Sequence, residues 1–216
     1  MENLTADQVQ DAALTDWRHL VNKLHSRFET GDFARGLSFV AAIGEVAEAA
    51  GHHPDVTLTY PSVTVSLTSH DSGGITPKDI DLARRISTIA SADGIPAAPS
   101  GVAVVELALD TADQGAIDAF WSSVLTGSPD NVDGDEIVDP SGRAPTLWFQ
   151  RTEPHDTPRQ RFHLDVQVPA DELDARVEAA VAAGGRRVED MGRGRAFVVV
   201  EDAEGNRACF CTVLDR

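Results

Sequence analysis

Residues Glu48 to Asp79 read EAAGHHPDVTLTYPSVTVSLTSHDSGGITPKD, and this stretch decides the fold of the first half of the chain. Val56 and Leu58, then Val63, Val65 and Leu67, fall at every second position with Thr or Ser between them. A period of two marks a strand with one buried face. Val56 to Tyr60 and Ser62 to Thr68 are therefore predicted as two half-buried strands of an antiparallel sheet, parted at Pro61. Gly51 reads as the stop of a preceding helix, and Thr76 with Pro77 as the start of a following one, with Asp79 in its first turn.

Working outward, Phe33, Leu37, Val40, Ile43, Val46 and Ala47 recur at helical spacing, so a helix is predicted from Asp32, its cap, to about Ala50. Thr5 to Gln8 has the spacing of a capping box and opens a short helix; Trp17 to Leu20 and Lys23 to Phe28 read as short strands. The helix from Thr76 to about Ala90 closes this part, and Ala92 to Gly101 (ADGIPAAPSG) reads as a break in patterning. The predicted organisation is a first domain over residues 1–93, a linker over 94–100 and a second domain over 101–216. In the second domain a strand (Val102 to Leu109), a helix (about Ala116 to Leu125) and a strand around Leu147 to Gln150 come first. The pattern recurs about 57 residues later: Arg161 to Val168 as strand, Asp171 to Ala183 as helix, then Arg186 to Glu189, Phe197 to Glu201 and Arg207 to Val213 as strands. The fold class is α+β.

The chain has 216 residues and a formal charge of -17, divided into 7 basic and 13 acidic residues up to Ala98 and 11 basic and 22 acidic beyond it. Both halves would be repelled by phosphate backbones and anionic lipid surfaces, which argues against nucleic-acid and membrane partners. Met1 to Gln10 has no basic segment of the kind that opens a signal peptide, and no run approaches the roughly 18 apolar residues of a membrane span. The two cysteines, Cys209 and Cys211, would share one face of a strand, a poor arrangement for bridging to each other, so a reducing cytoplasm is expected.

Five of the seven histidines lie in the first 70 residues, and His52, His53 and His70 fall within nineteen residues. Imidazole exchanges protons near neutral pH without heavy tuning, so this clustering points to acid/base chemistry. Gly51 and Pro54 place His52 and His53 on a helix-to-strand turn. His70 continues the parity of Thr64, Ser66 and Thr68 and is placed at the strand end, away from the core. Glu48, one helical turn before His52, is expected to favour the charged form of that ring, and Asp79 that of His70.

The full spacing is Glu48, three residues, His52-His53-Pro54, five residues, Tyr60, nine residues, His70, eight residues, Asp79. It resembles the signature of the pterin-4a-carbinolamine dehydratases, over about residues 5–90, together with Trp17, Asp32-Phe33-Ala34-Arg35-Gly36 and Thr68 to Thr76 (TSHDSGGIT). That resemblance implies an α+β domain that assembles as a homo-oligomer and removes water from 4a-hydroxytetrahydropterin without a metal or organic cofactor. It implies His52, His53 and His70 as the catalytic residues and Glu48, Lys78 and Asp79 as supporting or substrate-binding ones. Within it, His52 or His70 is expected to protonate the departing hydroxyl and His53 chiefly to hold the pterin. Val56, Gly51 and Lys78 depart from residues common in that family, an aromatic, an acid and an arginine respectively.

Residues 101–214 resemble the glyoxalase, bleomycin-resistance and extradiol-dioxygenase superfamily, on Asp113, Phe120-Trp121, Phe162-His163-Leu164-Asp165 and Asp202-Ala203-Glu204-Gly205-Asn206. This implies a pair of βαβββ units forming a cupped sheet. The positions corresponding to metal ligands in that superfamily are Glu106, His163 and Cys209, where a cysteine replaces a carboxylate, so no metal is expected. Trp121, Trp148 and Phe149 are expected in the core. An alternative reading of the whole protein is a small-molecule binding or dimerisation module that uses this cup beside a degenerate dehydratase domain.

Overall fold

The computed structural model describes residues 2–102, 104, 106–154, 164–168, 173–193 and 197–211. It divides into two compact units, Met1–Val104 and Val105–Arg216.

In the first unit a short helix α1 (Ala6–Asp11) follows its capping box at Thr5 and Gln8. Then come β1 (Arg18–Leu20), β2 (Lys23–Glu29), α2 (Phe33–Ala50), β3 (Asp55–Thr59), β4 (Ser62–Leu67) and α3 (Pro77–Ala92). The four strands form an antiparallel sheet in the order β1-β2-β4-β3. Its register pairs Leu24 with Leu67, Phe28 with Val63, and Val56 with Val65, so the alternating apolar residues of three strands share one face. That face packs on α2 and α3. Phe28 lies at the centre, edge-on to Trp17 at 6.0 Å and to Phe39 at 5.1 Å, and Trp17 Nε1 donates to Ser87 Oγ of α3 at 3.0 Å.

The buried face of α2 is rotated from the one the spacing predicts. Gly36, Phe39, Ile43 and Ala47 are buried, whereas Phe33 and Leu37 are 53 % and 57 % exposed. The cause is Gly36, where a Cβ would stand 2.5 Å from Leu58 Cδ1. The helix approaches the sheet along this missing side chain, which brings Phe39 inward and turns Phe33 and Leu37 to solvent. Residues expected as a linker are tied to β2: Ile95 is buried, Glu29 N–H donates to Pro96 O at 2.9 Å, and Ala98 N–H to Arg27 O at 2.7 Å.

The second unit contains β5 (Leu107–Thr111), α4 (Asp118–Thr126), β6 (Val132–Asp133), β7 (Glu136–Ile137) and β8 (Leu147–Arg151). It continues with β9 (Leu164–Gln167), α5 (Leu173–Ala182), β10 (Arg186–Arg193), β11 (Phe197–Glu201) and β12 (Arg207–Cys211). The two sheets, β5-β8-β7-β6 and β9-β12-β11-β10, have the same topology, with the first strand of each repeat parallel to its last. This is the predicted βαβββ pair. The opening strand starts at Leu107 rather than Val102, and β6 and β7 are too short to show a period in the sequence. Trp121 and Phe149 are buried in the core as expected, while Trp148 is half-buried.

The two repeats are joined by the segment after β11. Asp202 accepts from Trp121 Nε1 at 2.9 Å and from Asn206 Nδ2 at 2.8 Å, and Glu204 accepts from Thr111 Oγ1 at 3.0 Å. The residues Asp202 to Asn206 therefore hold α4 and the end of β5 in place. Between β7 and β8, burial works against the charge of Asp139. Donation from Ser141 Oγ and from the N–H groups of Ala144, Ser141 and Arg143 outweighs it and holds the carboxyl down to about 2. A depressed folded-state value contributes stability that is present above the unfolded value, about 3.9, and lost as pH falls through the folded one. Urea unfolding of the full chain should therefore lose stability between about pH 4 and pH 2. In Asp139→Ala that part of the slope should disappear.

Candidate active site

Two chain reversals bring the three histidines together. At the end of α2, Gly51 adopts φ 55°, its N–H donates to Glu48 O at 3.1 Å, and His52 N–H donates to Ala47 O at 3.2 Å. These paired bonds form a Schellman motif, and they fix His52 by its own backbone at the mouth of the helix. After β4 the second reversal runs through Ser69 N–H to Gly74 O at 2.9 Å and a single 3-10 turn at His70–Ser72, before Thr76 opens α3. Because β3 pairs with β4 and α2 packs on α3, the two reversals face each other. They line one pocket of about 430 Å³, with His52, His53 and Asp55 on one side and Ser69, His70, Asp71, Ser72 and Lys78 on the other. Tyr60 stands outside it, exposed in the β3–β4 turn.

A Cβ at residue 51 would meet no atom within 4 Å, so its cost is conformational alone. Gly51→Ala should cost about 1 kcal/mol in urea unfolding, since a left-handed conformation is unfavourable for a residue with a side chain. It should also reduce any activity of the pocket, because the strain falls at the residue before His52.

The three imidazoles are held differently. His52 Nε2 lies 2.7 Å from Asp79 Oδ1, with the His52 side chain 11 % exposed and that of Asp79 fully buried. Asp79 Oδ2 accepts from Thr76 N–H at 2.7 Å and Ser69 Oγ at 2.8 Å, with Thr76 Oγ1 at 3.1 Å. His53 is 61 % exposed and pairs through Nε2 with Glu48 Oε1 at 3.1 Å. The exposed His70 ring makes no hydrogen bond to a described residue.

The carboxylate partners are thus exchanged relative to the sequence expectation. Glu48 meets His53, not His52, and Asp79 meets His52, not His70. One-turn spacing brings side chains together only while the helix continues, and Gly51 ends it before His52. Asp79 is the third residue of α3, where its carboxylate turns back over the helix start and into the protein. That carboxylate can only accept, so the neutral His52 ring carries its proton on Nε2 and Nδ1 is left as the acceptor for a bound molecule. Among the other histidines, burial and then the Lys23 charge hold His25 on β2 below the usual imidazole range, with Asp55 opposing them.

In the second unit, Glu106 is exposed just before β5 and Cys209 is half-buried on β12. His163 lies outside the described residues. Burial, then the charges of Glu106, Asp135 and Asp133, push the Glu136 carboxyl up. Among the described residues no group of three His, Cys, Asp or Glu is placed to hold a metal ion.

Residues 2–89 match the family model described as Pterin 4 alpha carbinolamine dehydratase, and residues 106–211 match that of a Glyoxalase-like domain. A protein of Picosynechococcus sp. named "Putative pterin-4-alpha-carbinolamine dehydratase" is 46 % identical over 79 residues, which are 37 % of this chain and 86 % of the relative. A protein of Koribacter versatilis with the same name is 41 % identical over 90 residues, covering 41 % of this chain and 96 % of the relative. This chain belongs to the pterin-4-alpha-carbinolamine dehydratase family. The crystal structure of a transcriptional coactivator/pterin dehydratase from Brucella melitensis aligns with a TM-score of 0.40 and 31 % identity, over 41 % of this chain and 99 % of that one.

Within this dehydratase-family unit the sequence reading missed Ser69 and Thr76, which surround the carboxylate of Asp79, and the pocket residues Asp55, Asp71 and Ser72. A signal for the first pair was present. Thr76-Pro77-Lys78-Asp79 has the spacing of an N-terminal box, which marks a carboxylate turned toward the chain ahead of the helix.

Proposed function

We propose that the first unit is a hydro-lyase that removes water from a 4a-hydroxytetrahydropterin to give the quinonoid dihydropterin. The observation that supports this most is the joining of three imidazoles from two chain reversals in one pocket, one of them held by a buried carboxylate. The family relationship supplies the substrate class. Hydroxide leaves poorly, so an acid must deliver a proton to the 4a-oxygen as the C4a–O bond breaks. The ring nitrogen lone pair then forms the C=N bond, and a base takes the nitrogen-bound proton, so one water leaves and the protein keeps its proton count. His52 and His70 serve as this acid and base, one on each face of the ring, while His53, at the exposed rim with Glu48, chiefly holds the pterin. Each such proton transfer is typically worth about 10²- to 10⁴-fold.

This reading includes action on the pterin without a metal or organic cofactor, in a cytoplasmic homo-oligomer. No helix among the described residues is long and apolar enough to cross a membrane. Adding the full chain to a carbinolamine pterin generated in solution should accelerate formation of the quinonoid product, with saturation as substrate rises. A rate equal to that of buffer alone would overturn the proposal.

A further inference from the structure

The geometry points to Ser69 as a positioning residue that holds Asp79, and through it His52, in the arrangement the reaction needs; this rests on the dehydration reading above. Ser69 Oγ, Thr76 Oγ1 and Asp79 Oδ2 form a triangle with sides of 2.7 Å between the hydroxyls, 2.8 Å from Ser69 to Asp79 and 3.1 Å from Thr76 to Asp79. With the carboxylate ionised, the triangle has three sides and only two hydroxyl protons. Two oxygens cannot rest 2.7 Å apart without a proton between them, so the Ser69–Thr76 side carries one. The longest side is the one that goes without.

The donors then run in one direction. Thr76 Oγ1 donates to Ser69 Oγ, Ser69 Oγ donates to Asp79 Oδ2, and His52 Nε2–H donates to Asp79 Oδ1. Hydrogen bonds in such a chain polarise and so reinforce one another. Ser69 also precedes His70, and its backbone closes the reversal that carries that histidine, through Ser69 N–H to Gly74 O and Ser72 N–H to Ser69 O. One residue therefore ties the loop that carries His70 to the carboxylate that orients His52. Neither ring would keep its place relative to the other if that tie were loosened, and misplacement on the scale of an ångström is costly to proton transfer.

The test uses the full chain with ¹⁵N-labelled histidine. In the wild type, two-bond ¹⁵N–¹H spectra should show His52 as the Nε2–H tautomer. Ser69→Ala should add a population of the other tautomer, lower kcat for carbinolamine dehydration about 10-fold and change KM less than about 2-fold. Ser69→Thr keeps the hydroxyl and should restore both the spectrum and kcat to within about 3-fold of wild type. Wild-type kcat and an unchanged His52 spectrum in Ser69→Ala would overturn the assignment. So would a loss of kcat that Ser69→Thr shares equally and that follows the fall in Tm. Should the wild type show no dehydration at all, the proposed reaction fails, while the tautomer spectra still decide whether Ser69 orients His52.

Discussion

Replacing His52 with alanine should lower kcat for carbinolamine dehydration by about 10²- to 10⁴-fold while KM moves little, the pattern of a group that acts in the transition state more than in binding. His52 is suited to that role because it is the most enclosed of the three rings, and the only one held by a buried carboxylate. His53→Ala should show the opposite split, a raised KM with most of kcat kept, since its ring and its partner Glu48 are both largely exposed. Initial rates across a range of pterin concentrations separate the two. Equal losses of kcat in both variants would contradict the division of roles.

Asp79 is the second residue at which a large effect is expected, and two substitutions divide its contributions. Asp79→Ala leaves the buried Thr76 N–H and the half-buried Ser69 hydroxyl without this acceptor, and releases His52. It should cost about 2–4 kcal/mol in urea unfolding, from the unmet donors and the lost helix start. Asp79→Asn keeps the shape. Its oxygen must occupy the Oδ2 position, where three donors converge or approach, which turns the amide NH₂ toward His52 Nε2. The ring is then forced to accept at Nε2 and to carry its proton on Nδ1. Asp79→Asn should therefore recover most of the stability lost in Asp79→Ala and still lose about 10²- to 10³-fold in kcat. Recovery of both would show that Asp79 has only a structural role.

Much of the first unit is legible in the sequence because its signals are local. Asp32 and Gly51 bound α2 as their cap chemistry requires, and the alternation of Val63, Val65 and Leu67 fixes which face of β4 is buried. What the sequence does not carry is orientation set by contacts between elements. The burial of Phe39 in place of Phe33 and Leu37 depends on the close approach of Gly36 to Leu58, a neighbour on another strand. The partners of the histidines are hidden for the same reason: a spacing of four from Glu48 to His52 says nothing once Gly51 turns the chain. In the second unit the repeat is legible through its period, and its two shortest strands are not, since two residues cannot display one. Asp202 to Asn206, picked out by resemblance, serve to join the repeats.

On the proposed function, the pocket of the first unit carries out dehydration through its imidazoles. The most direct measurement is the rate of quinonoid dihydropterin formation with the wild-type full chain and with the His52→Ala/His70→Ala double variant, the fold of each being confirmed by circular dichroism. The wild type should exceed the buffer rate with saturation, and the folded double variant should fall to the buffer rate. A double variant as fast as the wild type, or a wild type no faster than buffer, would contradict the account.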